Sequence, residues 1–165
     1  MDKPEQTAFD APLILYETKV EPEWVDYNGH MGEAYYVLVF GHTTDAFLDL
    51  IGMDADYRER KGMSLYTLEV HVSYLREARE GDPLTVTTQL LDLDHKRAHL
   101  FHAMRHGKDD GLLAIEEAML LSVNSKEARS APFPEDVMAW LRNIREAHAL
   151  LPAPEQAGRS IAIRH

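Results

Sequence analysis

The 165-residue chain contains no cysteine. Disulfides, thiolate nucleophiles, iron–sulfur clusters and Cys-ligated zinc are thereby excluded together. No run approaches the ~20 apolar residues that cross a bilayer. The start, Met1-Asp2-Lys3-Pro4-Glu5-Gln6, has neither the basic nor the apolar stretch of a secretory leader, so a cytoplasmic location is expected. Positive charge is scarce: 17 Lys and Arg stand against 28 Asp and Glu, a net charge of −11. Binding nucleic acid without regard to sequence needs a basic surface that displaces counterions, so neither nucleic acid nor membrane is expected as a partner. The deficit is uneven. Residues 1–60 hold 4 basic and 13 acidic side chains, nine of the eleven net charges, and a polyanionic ligand is expected against the later part of the chain.

What is present is ordinary for a soluble globular protein, with 45% hydrophobic and 27% charged residues. A chain of this length buries about 70% of its unfolded surface without staples. We expect a single domain over residues 1–150 and a C-terminal tail over 151–165, with the first ten or so residues loose. Residues 14–20 read as a short strand. Tyr36, Phe40, Thr43, Phe47 and Ile51 recur at helical spacing and predict a long helix over about 32–51, stopped by Gly52. After a charged connector (54–62), the stretches 64–76, 83–92, 97–107 and 112–124 read as strands. Glu80-Gly81-Asp82, 92–96 and 108–111 are expected as hairpin turns between them. Pro134 opens a second helix to about His148. One long helix against an antiparallel, meandering sheet is an α+β two-layer arrangement.

The loop Asp26-Tyr27-Asn28-Gly29-His30 places a carboxylate, an amide and an imidazole just ahead of the long helix. A helix start offers free N–H groups and partial positive charge, so it can polarise a carbonyl beside a carboxylate base or nucleophile. Read alone, the same residues serve equally as a cap and a closed turn. Glu33 likewise suits either a site or the compensation of the helix dipole. Glu69 shares a strand face with His71 two residues on. His95, His99, His102 and His106 would align on a helix. On a strand, however, His99 faces away from His102 and His106, so no metal site is expected.

Trp24-Val25-Asp26-Tyr27-Asn28-Gly29-His30-Met31 followed by Ala34-Tyr35-Tyr36, with His71-Val72-Ser73-Tyr74-Leu75-Arg76 leading to Gly81-Asp82, resembles hot-dog-fold acyl-CoA thioesterases of the 4-hydroxybenzoyl-CoA thioesterase-like superfamily. The resemblance covers roughly residues 14–125. It implies a hot-dog fold, an antiparallel sheet wrapped around one long central helix. It also implies hydrolysis of an acyl-CoA by a homodimer or homotetramer, with no cofactor beyond the CoA of the substrate. By position, Asp26 matches the catalytic carboxylate, and Asn28 and His30 match residues that orient it. The amides from Met31 through Gly32 to Glu33 match those that polarise the thioester. Many relatives carry Asn near position 33, where this chain has Glu33, so Glu33 and Glu69 stand beside Asp26 as candidate catalytic acids. An enoyl-CoA hydratase of the same fold is a weaker match, because it places a proline and a later histidine in this loop. A non-catalytic acyl-CoA-binding module is the remaining alternative.

Arg76, Lys96 and Arg97 are the cations expected to contact CoA phosphates. Residues 64–71 with 92–102 resemble the betainyl-CoA thioesterases of carnitine breakdown, which implies a trimethylammonium acyl group. A group of that kind favours aromatic faces and a carboxylate. Trp24, Tyr27, Tyr35, Tyr36, Tyr66 and Glu69, with His71 nearby, are the expected substrate contacts.

Overall fold

Strand alternation and helical periodicity are both realised in the computed structural model, which describes residues 9–165. The expectation for the first residues lies outside the described part. Six strands, β1 (Leu13–Lys19), β2 (Met63–Tyr74), β3 (Pro83–Leu93), β4 (Arg97–His106), β5 (Leu112–Asn124) and the two-residue β6 (Arg129–Ser130), build one sheet. The helices are α1 (Glu33–Leu50), α2 (Ala55–Lys61) and α3 (Glu135–His148). The sheet is antiparallel in the order β1-β3-β4-β5-β2, with β6 added to β5. Register shifts at Thr67/Glu69, Leu90/Asp92 and Met104/Arg105 bend the strands, as bulges do, and help them curl about α1. This is the hot-dog arrangement.

The order corrects one expectation. Glu80-Gly81-Asp82 is not a hairpin turn, because β2 and β3 are separated by β5 and β4. β2 instead pairs with β5 from Met63↔Asn124 to Tyr74↔Ala114 and forms an edge of the sheet. The Gly81-Asp82 turn holds the chain after β1: Val20 N–H donates to the Asp82 carbonyl and Gly81 N–H to the Val20 carbonyl, both at 2.9 Å. The charged connector also proves to be a helix, α2. Asp54 accepts from Tyr57 N–H at 2.8 Å, and Gly62 ends it in the left-handed region at φ 66. Its seven mostly charged residues were too few to show an apolar period.

α1 buries Tyr36, Val39, Phe40, Thr43, Phe47 and Leu48 against the concave face. It stops as expected, with Gly52 at φ 83 and the Met53 N–H returning to the Leu48 carbonyl at 2.8 Å. The two ends of α1 are packed differently. Its C-terminal end is sealed by α2 and α3 in a cluster that joins Phe47, Ile51, Met53, Leu141 and Ile144 to Leu90 and Leu100 of the sheet. Its N-terminal end packs on Val20, Leu84, Val86, Met104 and Ala114, a cluster to which neither α2 nor α3 contributes. The site lies at this uncovered end.

Candidate active site

Between Val25 and Met31, which form an isolated bridge, the chain makes a tight five-residue loop. Asp26 N–H donates to the His30 carbonyl and Gly29 N–H to the Asp26 carbonyl, each at 3.0 Å. Asn28 N–H donates to Asp26 Oδ1 at 2.8 Å. Gly29 sits at φ 78, a conformation a side chain would strain. Two further bonds fix the loop to the body: Met31 N–H to the Ala78 carbonyl at 2.8 Å and Gly32 N–H to the Trp24 carbonyl at 2.9 Å. The chain then turns through Gly32 into α1, whose start has no side-chain cap. Among the described residues, the Glu33 and Ala34 amides have no acceptor, which leaves two donors directed away from the helix.

Asp26, Asn28 and Glu33 are exposed, and Tyr27 is 97% exposed. His30 is half-buried, with Nε2 3.0 Å from Glu77 Oε2. An open hollow of about 350 Å³ is lined by His30, Met31, Glu33, Tyr36, Tyr74 and Arg76, together with neighbouring chain. Tyr36 ties α1 to the β2–β3 connection, its hydroxyl accepting from Ala78 N–H at 3.2 Å. Burial is the main cause that raises its pKa above the ordinary tyrosine value. Tyr74 donates its hydroxyl to the Glu33 carbonyl at 3.1 Å, so β2 is fastened to the first turn of the helix.

Asp26, Asn28, His30, Met31, Gly32 and Glu33 are thus brought together on one short path into α1. Glu69 and His71 are not part of it. Both face the outer side of the sheet and line a second hollow of about 310 Å³ with His99, Glu117 and Arg159. There the chain beyond Pro152 is pinned. Gly158 N–H donates to Glu117 Oε2 at 2.8 Å, His99 Nε2 lies 2.7 Å from Glu117 Oε1, and His71 Nδ1 lies 3.0 Å from the Arg159 carbonyl oxygen. The expected tail carries no regular element, but it is held as a strap.

The aromatics do not form one cage within the subunit. Trp24 and Tyr35 stack on each other at 5.8 Å, Tyr36 packs edge-to-face on Tyr74 at 5.2 Å, and Tyr66 stands half exposed on β2. The cations are also divided. Arg76 lies at the loop end of the sheet, in a forked pair with Asp109 at 2.7 and 3.2 Å. That guanidinium holds the Asp109 carboxyl down at about 2. Lys96 and Arg97 sit at the other end of β4, roughly 30 Å away by strand rise, where Arg97 pairs with Asp94 at 2.6 Å. One nucleotide within one subunit does not reach both ends.

Two buried groups escaped the sequence reading of the site. His102 is fully buried with Nδ1 2.8 Å from Thr88 Oγ1, Nε2 3.1 Å from Thr44 Oγ1, and its ring stacked on Phe40. The Thr44 hydroxyl donates to the Phe40 carbonyl at 3.2 Å, which assigns the ring proton to Nε2. Burial pushes the imidazole down to about 3, so it is neutral. Beside it on β5 lies Glu116, 4% exposed, whose carboxyl burial alone pushes up to about 7. Its signal was present in the sequence: Glu116 shares the inward alternation of Ala114, Ala118 and Leu120.

A model of the thioesterase-like superfamily matches residues 20–141. A betainyl-CoA thioesterase of Pseudomonas aeruginosa is 48% identical over 151 residues, 92% of this chain and 95% of that protein. An L-carnitine dehydrogenase/betainyl-CoA thioesterase of Rhizobium meliloti is 47% identical over 91% of this chain, which spans only 30% of that longer protein. The solved structure of a Staphylococcus aureus protein in complex with CoA superposes with a TM-score of 0.87 and 32% identity, covering 94% of this chain and 98% of that one.

Proposed function

The chain belongs to the thioesterase-like superfamily and is a thioester hydrolase, and from that premise we propose that its substrate is betainyl-CoA, cleaved to betaine and free CoA. The 48% identity to a betainyl-CoA thioesterase supports the acyl group, and a carboxylate on a clamped loop beside a helix start with two unpaired amides supports the hydrolysis. In the proposed reaction the thioester carbonyl oxygen accepts from the Glu33 and Ala34 amides, where negative charge develops as the carbon becomes tetrahedral. The Asp26 carboxylate takes a proton from water as the water oxygen bonds to the carbonyl carbon, and the proton passes to the departing thiolate as the C–S bond breaks; alternatively Asp26 attacks directly, releasing CoA and leaving a mixed anhydride that water then hydrolyses to betaine and free Asp26. The Asn28 N–H bond to Oδ1 aims the carboxylate, and Glu77 fixes the His30 ring. The near-neutral later part of the chain suits the CoA phosphates, with Arg76 at the site end.

We also infer that the working unit is a homodimer formed along β2. That strand is an unpaired edge with Tyr66, Leu68 and Val70 exposed, and Val37 and Leu38 of α1 are exposed as well. A second copy would bring the divided aromatics and cations of two subunits towards shared sites. Light scattering on the purified protein tests the assembly, and a monomer at micromolar concentration would refute it.

The activity is tested by thiol release from a thioester panel that contains betainyl-CoA, acetyl-CoA and crotonyl-CoA. Betainyl-CoA is expected to give the highest kcat/KM, and crotonyl-CoA is expected to keep its double-bond absorbance. A preference for an uncharged acyl group would overturn the substrate, and hydration of crotonyl-CoA without thiol release would overturn the reaction.

A further inference from the structure

β5 places Glu116 opposite His102 of β4 and Val72 of β2, on the inner face of the sheet under α1. Among the described residues, no hydrogen bond or ion pair reaches its carboxyl, and burial is the sole cause of its raised pKa. The neighbours cannot complete it. His102 is neutral and has both ring nitrogens engaged by Thr44 and Thr88. Val72 is apolar, and the Tyr74 hydroxyl already donates to the Glu33 carbonyl. A buried carboxyl without a partner is costly, and a hydrophobic residue of similar size would be tolerated better. A cation brought near it would offset that cost.

The position gives such a cation an approach. Tyr74 is bonded to the first turn of α1 and, with Val72 opposite Glu116 and Tyr74 opposite Ala114, is the diagonal neighbour of the buried acid on the same face; burial first, and then the charges of Glu33 and Glu116, raise its pKa. Along the same side of α1, Val37 and Leu38 are exposed, and a Cβ added at Gly41 would meet nothing within 4 Å. The flank of α1 beside the edge strand β2 is therefore open on the Tyr74 side of Glu116, next to the hollow lined by Glu33, Tyr36 and Tyr74. In a betainyl thioester a single methylene separates the carbonyl from the quaternary nitrogen. A carbonyl held at the helix start puts that nitrogen in the hollow lined by Glu33, Tyr36 and Tyr74, with Tyr74 between it and Glu116. Having no N–H, the cation is attracted by field and by aromatic faces, not by a directed hydrogen bond, so a carboxyl set behind Tyr74 and the Tyr36 ring suits it.

We propose that Glu116 is the counter-ion of the acyl group, the residue that makes this site prefer a quaternary-ammonium acyl thioester over its uncharged isostere. The proposal rests on the betainyl-CoA reading above and adds the residue responsible for it.

The test compares betainyl-CoA with 3,3-dimethylbutyryl-CoA, which replaces the quaternary nitrogen by carbon and keeps the shape. In the wild type the ratio of the two kcat/KM values favours the cation. In Glu116→Gln that ratio is expected to fall about 10- to 100-fold, while Glu116→Asp, which keeps the charge, retains most of it. The wild type provides the same test without substitution. The ratio is expected to rise several-fold from about pH 5.5 to 8 as the carboxyl ionises, because ionisations that act on both esters alike cancel. The titratable groups facing Glu116 are His102 from β4 and Tyr74 from β2, with Tyr36 from α1 packed on Tyr74. Burial depresses the first to about 3 and raises the other two above the ordinary tyrosine value, so none titrates in that interval. A wild type inert towards betainyl-CoA removes the substrate reading and this inference with it. A wild type active on betainyl-CoA, whose preference survives in Glu116→Gln or is flat with pH, removes the inference alone.

Discussion

Glu116 and Glu117 are adjacent in sequence and opposite in situation. Glu117 faces outward and is fully engaged, taking the Gly158 N–H on both oxygens at 2.8 and 3.1 Å and lying 2.7 Å from His99 Nε2. Glu116 faces inward, is deeper, and has neither donor nor cation beside it. The same contrast divides the two faces of the sheet. On the outer face the polar groups around Glu117 satisfy one another and hold the C-terminal strap. On the inner side, two amides at the helix start and the Glu116 carboxyl on β5 remain without partners. Groups already satisfied by the chain stabilise it, and groups left unsatisfied are those available to a substrate.

Four measurements bear on that contrast. The largest effect is expected at the loop: Asp26→Asn should lower kcat by about 10²–10³ with an unchanged far-UV spectrum, read as thiol release. A variant within tenfold of the wild type would remove Asp26 from the mechanism. Next comes the loss of cation preference in Glu116→Gln described above. A third effect concerns stability. Burial raises the Glu116 carboxyl to about 7 from an ordinary 4.5. The folded state therefore favours the protonated form, and stability present below pH 4.5 is lost as pH rises through 7. Glu116→Gln should escape that loss, melting roughly 5 °C above the wild type at pH 8 and close to it at pH 4.5. Equal melting curves at both pH values would mean that Glu116 is not desolvated. The smallest effect belongs to the outer face. Glu117→Gln should lower Tm by only about 2–4 °C and leave the betainyl preference intact, whereas a loss of preference there would erase the distinction between the two acids.

The sequence made the fold legible wherever one period ran long. α1 was visible from five positions at helical spacing, four of them apolar, and β5 was read with its bounds intact. The order of the strands was not visible, because pairing between residues sixty apart leaves no local trace; Gly81-Asp82 looks like any tight turn whichever strands it joins. The loop from Asp26 to Glu33 was found because its polar residues are consecutive. Glu116 was overlooked for the opposite reason. It stands alone in an apolar strand, and only its alternation with Ala114 and Ala118 shows that it points inward. Glu69 drew notice for sharing a face with His71, which is correct, but strand parity alone does not say which face of the sheet meets the helix.

The third helix has a consequence for where the molecule can be entered. α3 seals the C-terminal end of α1 with Leu141 and Ile144 packed on Phe47 and Met53, all buried. The interior is solid at that end, whereas the hollows beside α1, one at its start and one beside Gly41, Thr44 and Leu65, open sideways to the surface. The central helix is thus gripped at its back end and reachable along its flank, so a guest would lie beside it and not run through the core.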